Sequence, residues 1–108
     1  MKINGQPVRL GEWTVKSGKV PEFVEAWQAG ADWITQNLSD NGEGFLLQDT
    51  ESPNRFISFA FSSNLEKALE TMSRPEFQEL MSKTRSLCEE AQPHGMKVVG
   101  YSSSANDE

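Results

Sequence analysis

The chain has 108 residues, of which 36% are hydrophobic and 24% charged, and its formal net charge is −6. These values are typical of one globular domain with a single core, and the acidic balance disfavours binding to nucleic acid or to an anionic membrane surface. Cys88 is the only cysteine, which excludes an intramolecular disulfide and a cysteine-based metal site within one chain. No apolar run resembles a signal peptide or a membrane span, so we expect a cytoplasmic protein.

The first half of the chain predicts a strand, a helix and two further strands. Alternation of side chains indicates the first strand, with Gly11, Trp13 and Val15 on one face, and Pro21 suits the first turn of the helix. The predicted elements are a strand at 8–16, a helix from Val20 with an apolar stripe to Leu38, a loop at 37–44, a strand at 44–50, a turn at 51–54 and a strand at 55–62. The third strand is apolar on both faces, with Ile57, Phe59 and Phe61 on one and Phe56, Ser58 and Ala60 on the other. This pattern predicts a central strand that is buried on both sides.

The second half predicts two helices and a final strand. The predicted elements are a helix capped by Ser63 or Asn64 and ending near Met72, a helix from Pro75 to about Ala91, a turn at 92–95 and a strand at 96–101. Cys88 falls on the apolar stripe of the helix predicted from Pro75 to about Ala91, which indicates a buried, inert thiol. We expect one domain over 1–102 and a disordered polar tail over 103–108.

The order strand-helix-strand-strand-helix-strand is typical of an α+β, ferredoxin-like fold with an antiparallel sheet. Right-handed crossovers place both helical regions on the same face of that sheet. The other face of the sheet is then left without a helical layer, and we expect a second copy of the chain to cover it.

The sequence resembles the antibiotic biosynthesis monooxygenase (ABM) domain family over roughly residues 9–102. The segments that carry the resemblance are 13–19 (WTVKSGK), 21–27 (PEFVEAW), 44–49 (GFLLQD), 55–59 (RFISF) and 65–77, which ends in SRPEF. The resemblance implies a homodimer whose two sheets form an α/β barrel, with a pocket between sheet and helices in each protomer. For some members it implies oxidation of a polycyclic phenol by O2 with neither metal nor flavin.

Three positions depart from the haem-degrading branch of the family. Gly11 stands where that branch has an asparagine on the first strand, and Met81 stands where it has the histidine that ligates haem. Phe61 or Ser62 takes a place where tryptophan is frequent. These differences weaken a haem-degrading interpretation, and we expect no cofactor and no metal.

An apolar pocket for a planar ring is the main hypothesis for a site, although these side chains also suit an ordinary core. The candidate lining residues are Trp13, Trp27, Arg55, Phe59, Phe61, Met72 and Met81. Arg55 could hold an anionic or phenolic oxygen, or could pair with Asp49 or Glu51 across the hairpin. His94, in the predicted turn, is interpreted as a surface histidine outside the pocket, so no general base is identified.

Three functions remain open from the sequence. The first is a cofactor-independent monooxygenase that acts on a small aromatic or quinol-type substrate. The second is a non-catalytic ligand-binding or stress-response module, and the third is a small isomerase or cyclase. Oxygen uptake with turnover selects the first, binding without turnover selects the second, and a product isomeric with its substrate selects the third.

Overall fold

The fold is one antiparallel sheet with three helices, seen in a computed structural model that describes residues 5–38 and 42–104. In chain order these residues form β1 (Pro7–Val15), α1 (Val20–Asn37), β2 (Gly44–Gln48), β3 (Arg55–Phe61), α2 (Leu65–Met72), α3 (Pro75–Ser86) and β4 (Cys88–Lys97). The strand order in the sheet is β2-β3-β1-β4. The predicted ferredoxin-like arrangement is therefore confirmed. Parts of the predicted loop (39–41) and tail (105–108) lie outside the described residues.

Local sequence signals set the beginnings of the helices. Pro21 lies in the first turn of α1 and Pro75 begins α3, where a missing N–H costs no hydrogen bond. The side chain of Asn64 accepts a hydrogen bond from the backbone N–H of Lys67 at 3.0 Å, which caps α2. These beginnings agree with the sequence-based prediction.

The strand pairing decides which side chains face the helices. On β1 and β3, Trp13 lies opposite Phe56 in the ladder, and opposite residues project from the same face of a sheet. Phe23 of α1 is fully buried and contacts both rings, at centroid distances of 5.4 Å and 4.9 Å. Together with Val15 and Cys88, these side chains form the core on the helix side of the sheet.

The end of the chain differs from the prediction. Helix α3 ends at Ser86 rather than near Ala91, and β4 begins at Cys88 rather than at Met96. The predicted turn at 92–95 lies inside β4 and pairs with β1. Pro93 is tolerated there because β4 is an edge strand, where one side of the backbone forms no ladder. The residues Pro93-His94-Gly95 favour a turn locally, but their hydrogen bonding to β1 holds them in a strand.

The second face of the sheet carries no helix among the described residues. The shortest Cα extent of the molecule is 19 Å, which suits one sheet and one helical layer about 10 Å away. We call this second face the open face. It is formed by Val8, Leu10, Glu12, Thr14, Phe45, Leu47, Arg55, Ile57, Phe59, Phe61, Glu90, Gln92, His94 and Met96. Phe45, Leu47 and Met96 are 44%, 50% and 48% exposed, so a large part of its apolar surface meets solvent.

Candidate functional site

Trp13 lies at the centre of the layer between sheet and helices. Its indole Nε1 donates a hydrogen bond to Ser58 Oγ at 2.9 Å, and its ring packs on Phe23. Ser58 is only 8% exposed. A serine hydroxyl that accepts from the indole still has its own proton to donate. The layer therefore contains a buried polar group, the Ser58 hydroxyl, beside aromatic side chains.

Gly11 makes this contact possible. A Cβ atom at position 11 would lie 2.9 Å from Ser58 Oγ and 3.0 Å from Trp13 Nε1, which is too close for real side-chain carbons. Any larger residue would have to displace the indole or the hydroxyl. The position at which the resemblance implies an asparagine in haem-degrading members has no room for one in this arrangement.

The helical wall of the layer is formed where α1 meets α3. Met81 Cε lies 3.1 Å from the point that a Cβ of Gly30 would occupy, so the absence of a side chain at Gly30 makes room for Met81. Trp33 packs on Phe77 with ring centroids 5.9 Å apart. Trp27, which shares α1 with these contacts, is half-buried. Met81 thus belongs to the packing of the two helices.

The predicted pocket residues fall on two sides of the sheet. Trp13, Trp27 and Met81 belong to the helix side, and Met72 is half-buried at the end of α2. The remaining three predicted residues, Arg55, Phe59 and Phe61, belong to the open face. One pocket lined by all seven residues therefore does not form, since the sheet separates the two groups.

The aromatic residues of the open face contact one another. Phe45 of β2 stacks on Phe59 of β3 with ring centroids 5.2 Å apart and an interplanar angle of 30°. Phe59 also meets Phe61 edge to face, at 5.7 Å and 89°. These three rings form an apolar ridge along the sheet, which is a surface suited to burial rather than to water.

His94 is not the isolated surface residue of a turn that the sequence predicted. It lies on β4, opposite Leu10 of β1, and its Nε2 is 2.9 Å from Oε2 of Glu12. The contact with Glu12 could not be predicted once residues 92–95 were assigned to a turn, since it depends on β4 lying beside β1. With β4 assigned correctly, strand alternation would have placed both side chains on one face.

A shallow depression of about 160 Å³ lies at the β2–β3 hairpin. Its lining residues are Leu47, Gln48, Asp49, Arg55, Phe56 and Ile57. The backbone N–H groups of Glu51 and Ser52 donate to Asp49 Oδ1 at 2.8 Å and 3.1 Å and lower the pKa of its carboxyl group, with a smaller contribution from Arg55. The charge of Arg55 makes the smallest contribution to this shift, and the two roles considered for Arg55 stay predictions.

Three further observations concern metal ligands, membrane spans and the Cys88 thiol. Within residues 5–38 and 42–104, no three side chains of His, Cys, Asp or Glu are grouped so that they could hold a metal ion. No helix in the same ranges is long and apolar enough to cross a membrane. Burial raises the pKa of the Cys88 thiol, whose Sγ lies 3.6 Å from the backbone oxygen of Thr84.

Comparison of the structure with solved structures identifies the fold. SnoaB from Streptomyces nogalater, a cofactor-independent oxygenase, superposes with a TM-score of 0.77 at 15% identity, over 90% of this chain and 96% of its own. A point variant of SnoaB gives a TM-score of 0.80 at 14% identity over the same shares. A Bordetella bronchiseptica protein, provisionally named an antibiotic biosynthesis monooxygenase, gives 0.73 at 15% identity, over 88% of this chain and 98% of its own. No family model and no curated protein matches the sequence. The chain has the fold of the ABM-type proteins.

Proposed function

We propose that the protein is a cofactor-independent monooxygenase that acts on a small aromatic or quinol-type substrate. The observation that carries the proposal is its likeness to SnoaB, a cofactor-independent oxygenase whose fold it shares over 90% of its length. The aromatic side chains around Trp13 support the proposal because ligand pockets are lined mainly by apolar and aromatic side chains. The substrate ring would lie on the helix side of the sheet, against Trp13 and Trp27.

Ser58 is the residue that would hold the oxygen of the substrate. Its hydroxyl accepts from Trp13 Nε1 at 2.9 Å, so its own proton is free to bond an enolate or phenolate oxygen. A hydrogen bond to an anion in an apolar enclosure is stronger than the same bond in water. Ser58 would therefore favour the anionic, electron-rich form of the substrate, which is the form that reacts with O2.

The proposed reaction balances without an added reductant. A substrate with an oxidisable CH2 group between aromatic rings, such as an anthrone, supplies all the electrons that O2 needs. One oxygen atom replaces the two hydrogens of the CH2 group as a carbonyl oxygen, the O–O bond breaks, and the second oxygen leaves with both hydrogens as water. The protein would contribute orientation and exclusion of water.

A thermal-shift screen with anthrones, naphthoquinols, catechols and haem tests this site. A ligand that binds only the folded chain at about 100 times its dissociation constant stabilises it by about 2.7 kcal/mol. We expect one phenolic class to raise the Tm, and Ser58→Ala to reduce that shift. Val24→Ala, on the exposed side of α1, is the matched control and should keep the full shift. If the ligand raises the Tm of Ser58→Ala and of Val24→Ala equally, Ser58 does not contact the ligand.

A binding module without turnover is the second candidate. The observation that favours it is the chemistry at the centre of the layer, because the Ser58 hydroxyl can donate to an anion but accepts no proton at neutral pH, and the indole N–H of Trp13 is occupied by its bond to Ser58. A ligand that raises the Tm but consumes no O2 would select this function. A product isomeric with the substrate would instead select an isomerase or cyclase.

We also propose that a second copy of the chain covers the open face. Strands about 4.8 Å apart with about 3.4 Å per residue give the four-stranded face a projected area of about 450 Å² over a seven-residue ladder. Because side chains roughen this surface, two copies would bury about 1,000 Å² or more, which reaches the size of a biological interface. Sedimentation at micromolar concentration tests the proposal, since a chain that stays monomeric there contradicts it.

A further inference from the structure

The layer between sheet and helices is filled at one end and open at the other. At the filled end, Phe23 of α1 packs on Trp13 of β1. Two rows further along the sheet, each strand contributes one residue to a row on the helix side, formed by Gly44, Ala60, Arg9 and Gly95. We call these four residues the Arg9 row. Apart from the arginine, its members have almost no side chain.

The helices leave the Arg9 row uncovered in the part of the chain that the structure describes. A Cβ added at Gly95 would have no atom within 4 Å. A Cβ added at Gly44 would meet only atoms of β3, the Cβ of Ala60 and the backbone oxygen of Phe59, both at 3.7 Å. Ala60 itself is exposed. The sheet therefore provides a flat floor here, with room above it for a planar ring.

Arg9 has no counter-charge at this floor. Its side chain is half-buried, and none of the ion pairs among the described residues includes it. The paired strand residues on the helix side include one other charged residue, the cation Lys97, and no carboxylate, although the net charge of the chain is −6. A half-buried guanidinium in this position loses part of its hydration and gains no ion pair in return. An anionic ligand would supply the missing partner.

Arg9 and Ser58 are close enough for one ligand to contact both. Ser58 lies opposite Gly11 in the ladder, and Gly11 precedes Trp13 and follows Arg9 on the same face of β1. Two residues along a strand span about 7 Å and neighbouring strands are about 5 Å apart, so the Cα atoms of Arg9 and Ser58 are about 8 Å from each other. A bicyclic ring whose phenolic oxygen accepts from Ser58 can therefore lie over this floor with an acid group at Arg9. The guanidinium has two parallel N–H donors that match a carboxylate.

We propose that Arg9 binds a carboxylate of the aromatic ligand, so that the site selects a hydroxy-aromatic acid over its neutral analogues. Ser58 holds the phenolic oxygen of this ligand and Arg9 holds its acid group. The inference rests on the proposed ring site beside Trp13 and Ser58. It assigns substrate selection to a residue that takes no part in the reaction with O2.

Isothermal titration calorimetry at about pH 7, where a carboxylic acid is ionised, tests the inference with two ligands. One is a hydroxynaphthoate whose hydroxyl and carboxylate lie at opposite ends of the ring pair, and the other is the primary amide of the same acid. The wild type should bind the acid at least about tenfold more tightly than the amide. Arg9→Gln should abolish this preference and change the dissociation constant of the amide by less than about threefold. Arg9→Lys keeps the charge without the planar fork, and should retain more of the preference than Arg9→Gln.

Two controls separate charge recognition from other effects, with circular dichroism to verify that every variant is folded. Arg85→Gln removes the same charge from an exposed position of α3 and should leave the preference unchanged. Ser58→Ala should weaken the acid and the amide alike, because both place their hydroxyl at Ser58.

The outcomes distinguish this inference from the proposed function. If Arg9→Gln weakens the acid and the amide equally, the Arg9 side chain acts through packing and the inference is wrong. A wild type that binds both ligands equally well also overturns the inference but leaves the ring site standing, whereas a wild type that binds neither overturns both. A preference for the acid that depends on Arg9, in a protein that consumes no O2, supports the Arg9 site and contradicts only the proposed reaction.

Discussion

Replacing Gly11 by alanine should destabilise the protein through one identifiable clash. The new Cβ would lie 2.9 Å from Ser58 Oγ and 3.0 Å from Trp13 Nε1. Trp13 cannot retreat easily because Phe23 lies behind its ring at 5.4 Å. Ser58 can turn away only by giving up the hydrogen bond that it accepts. Overpacking of a core typically costs about 1–3 kcal/mol, and the lost hydrogen bond adds about 1 kcal/mol.

The expected loss for Gly11→Ala is therefore about 2–4 kcal/mol, which lowers the Tm of a domain of this size by at least about 8 °C. Urea unfolding followed by tryptophan fluorescence gives the free energy of unfolding, and thermal unfolding gives the Tm. Gly95→Ala is the control, because nothing lies within 4 Å of a Cβ added there. That variant should stay within about 0.5 kcal/mol of the wild type. If Gly11→Ala is as stable as Gly95→Ala, the close approach of Gly11, Trp13 and Ser58 does not exist.

Three further changes test other parts of the structure. Ser58→Ala leaves the indole N–H of Trp13 without its acceptor and should cost about 1–3 kcal/mol in urea unfolding. Asn64→Ala removes the cap of α2 and should cost about 1 kcal/mol, whereas Asn64→Ser, which keeps an accepting oxygen at the cap, should cost less in the same assay. For Asp49, the lowered pKa means that the carboxylate stabilises the folded chain above the ordinary aspartate range, and that this contribution is lost as the pH falls through the folded value. The Tm difference between wild type and Asp49→Asn should therefore be present at about pH 7 and vanish in strong acid; a difference that persists there contradicts the assigned cause.

The sequence predicted most elements because their local signals agreed with their tertiary contacts. Pro21 and Pro75 lie in the first turns of α1 and α3, and the alternation in β1 and β3 matched the observed faces. The end of the chain failed because two patterns overlapped there. Cys88 and Ala91 suit a helical stripe, but the chain pairs with β1 instead. Only the long-range ladder could distinguish a helix from a strand in this segment.

The candidate site could be predicted only in part, for a reason that lies in strand register. The sequence correctly grouped Ile57, Phe59 and Phe61 on one face of β3, and Gly11, Trp13 and Val15 on one face of β1. It could not determine which of these two groups shares a side of the sheet, since a shift of one residue exchanges the faces. The observed register places Trp13 opposite Phe56, and so separates Trp13 from Phe59 and Phe61.

Ser58 and the Glu12–His94 pair were missed for the same physical reason. A serine among apolar strand residues carries no sign of its partner, since the indole that donates to it is 45 residues away in sequence. The Glu12–His94 contact joins two strands that are adjacent in the sheet but lie at opposite ends of the chain. Such contacts follow from topology, so they become visible only when the strands have been paired.

Oxygen consumption by the purified chain with an anthrone, or with another substrate that has a CH2 group between aromatic rings, tests the proposed function most directly. The measurement uses protein dialysed against a chelator, an oxygen electrode, and product analysis after reaction under isotopically labelled O2. The account predicts one O2 consumed for each product formed, one labelled oxygen atom in that product, and a rate that falls at least about tenfold in Ser58→Ala. Binding of these ligands with no oxygen consumption above the protein-free rate would contradict it, and would leave a ligand-binding module on the same fold.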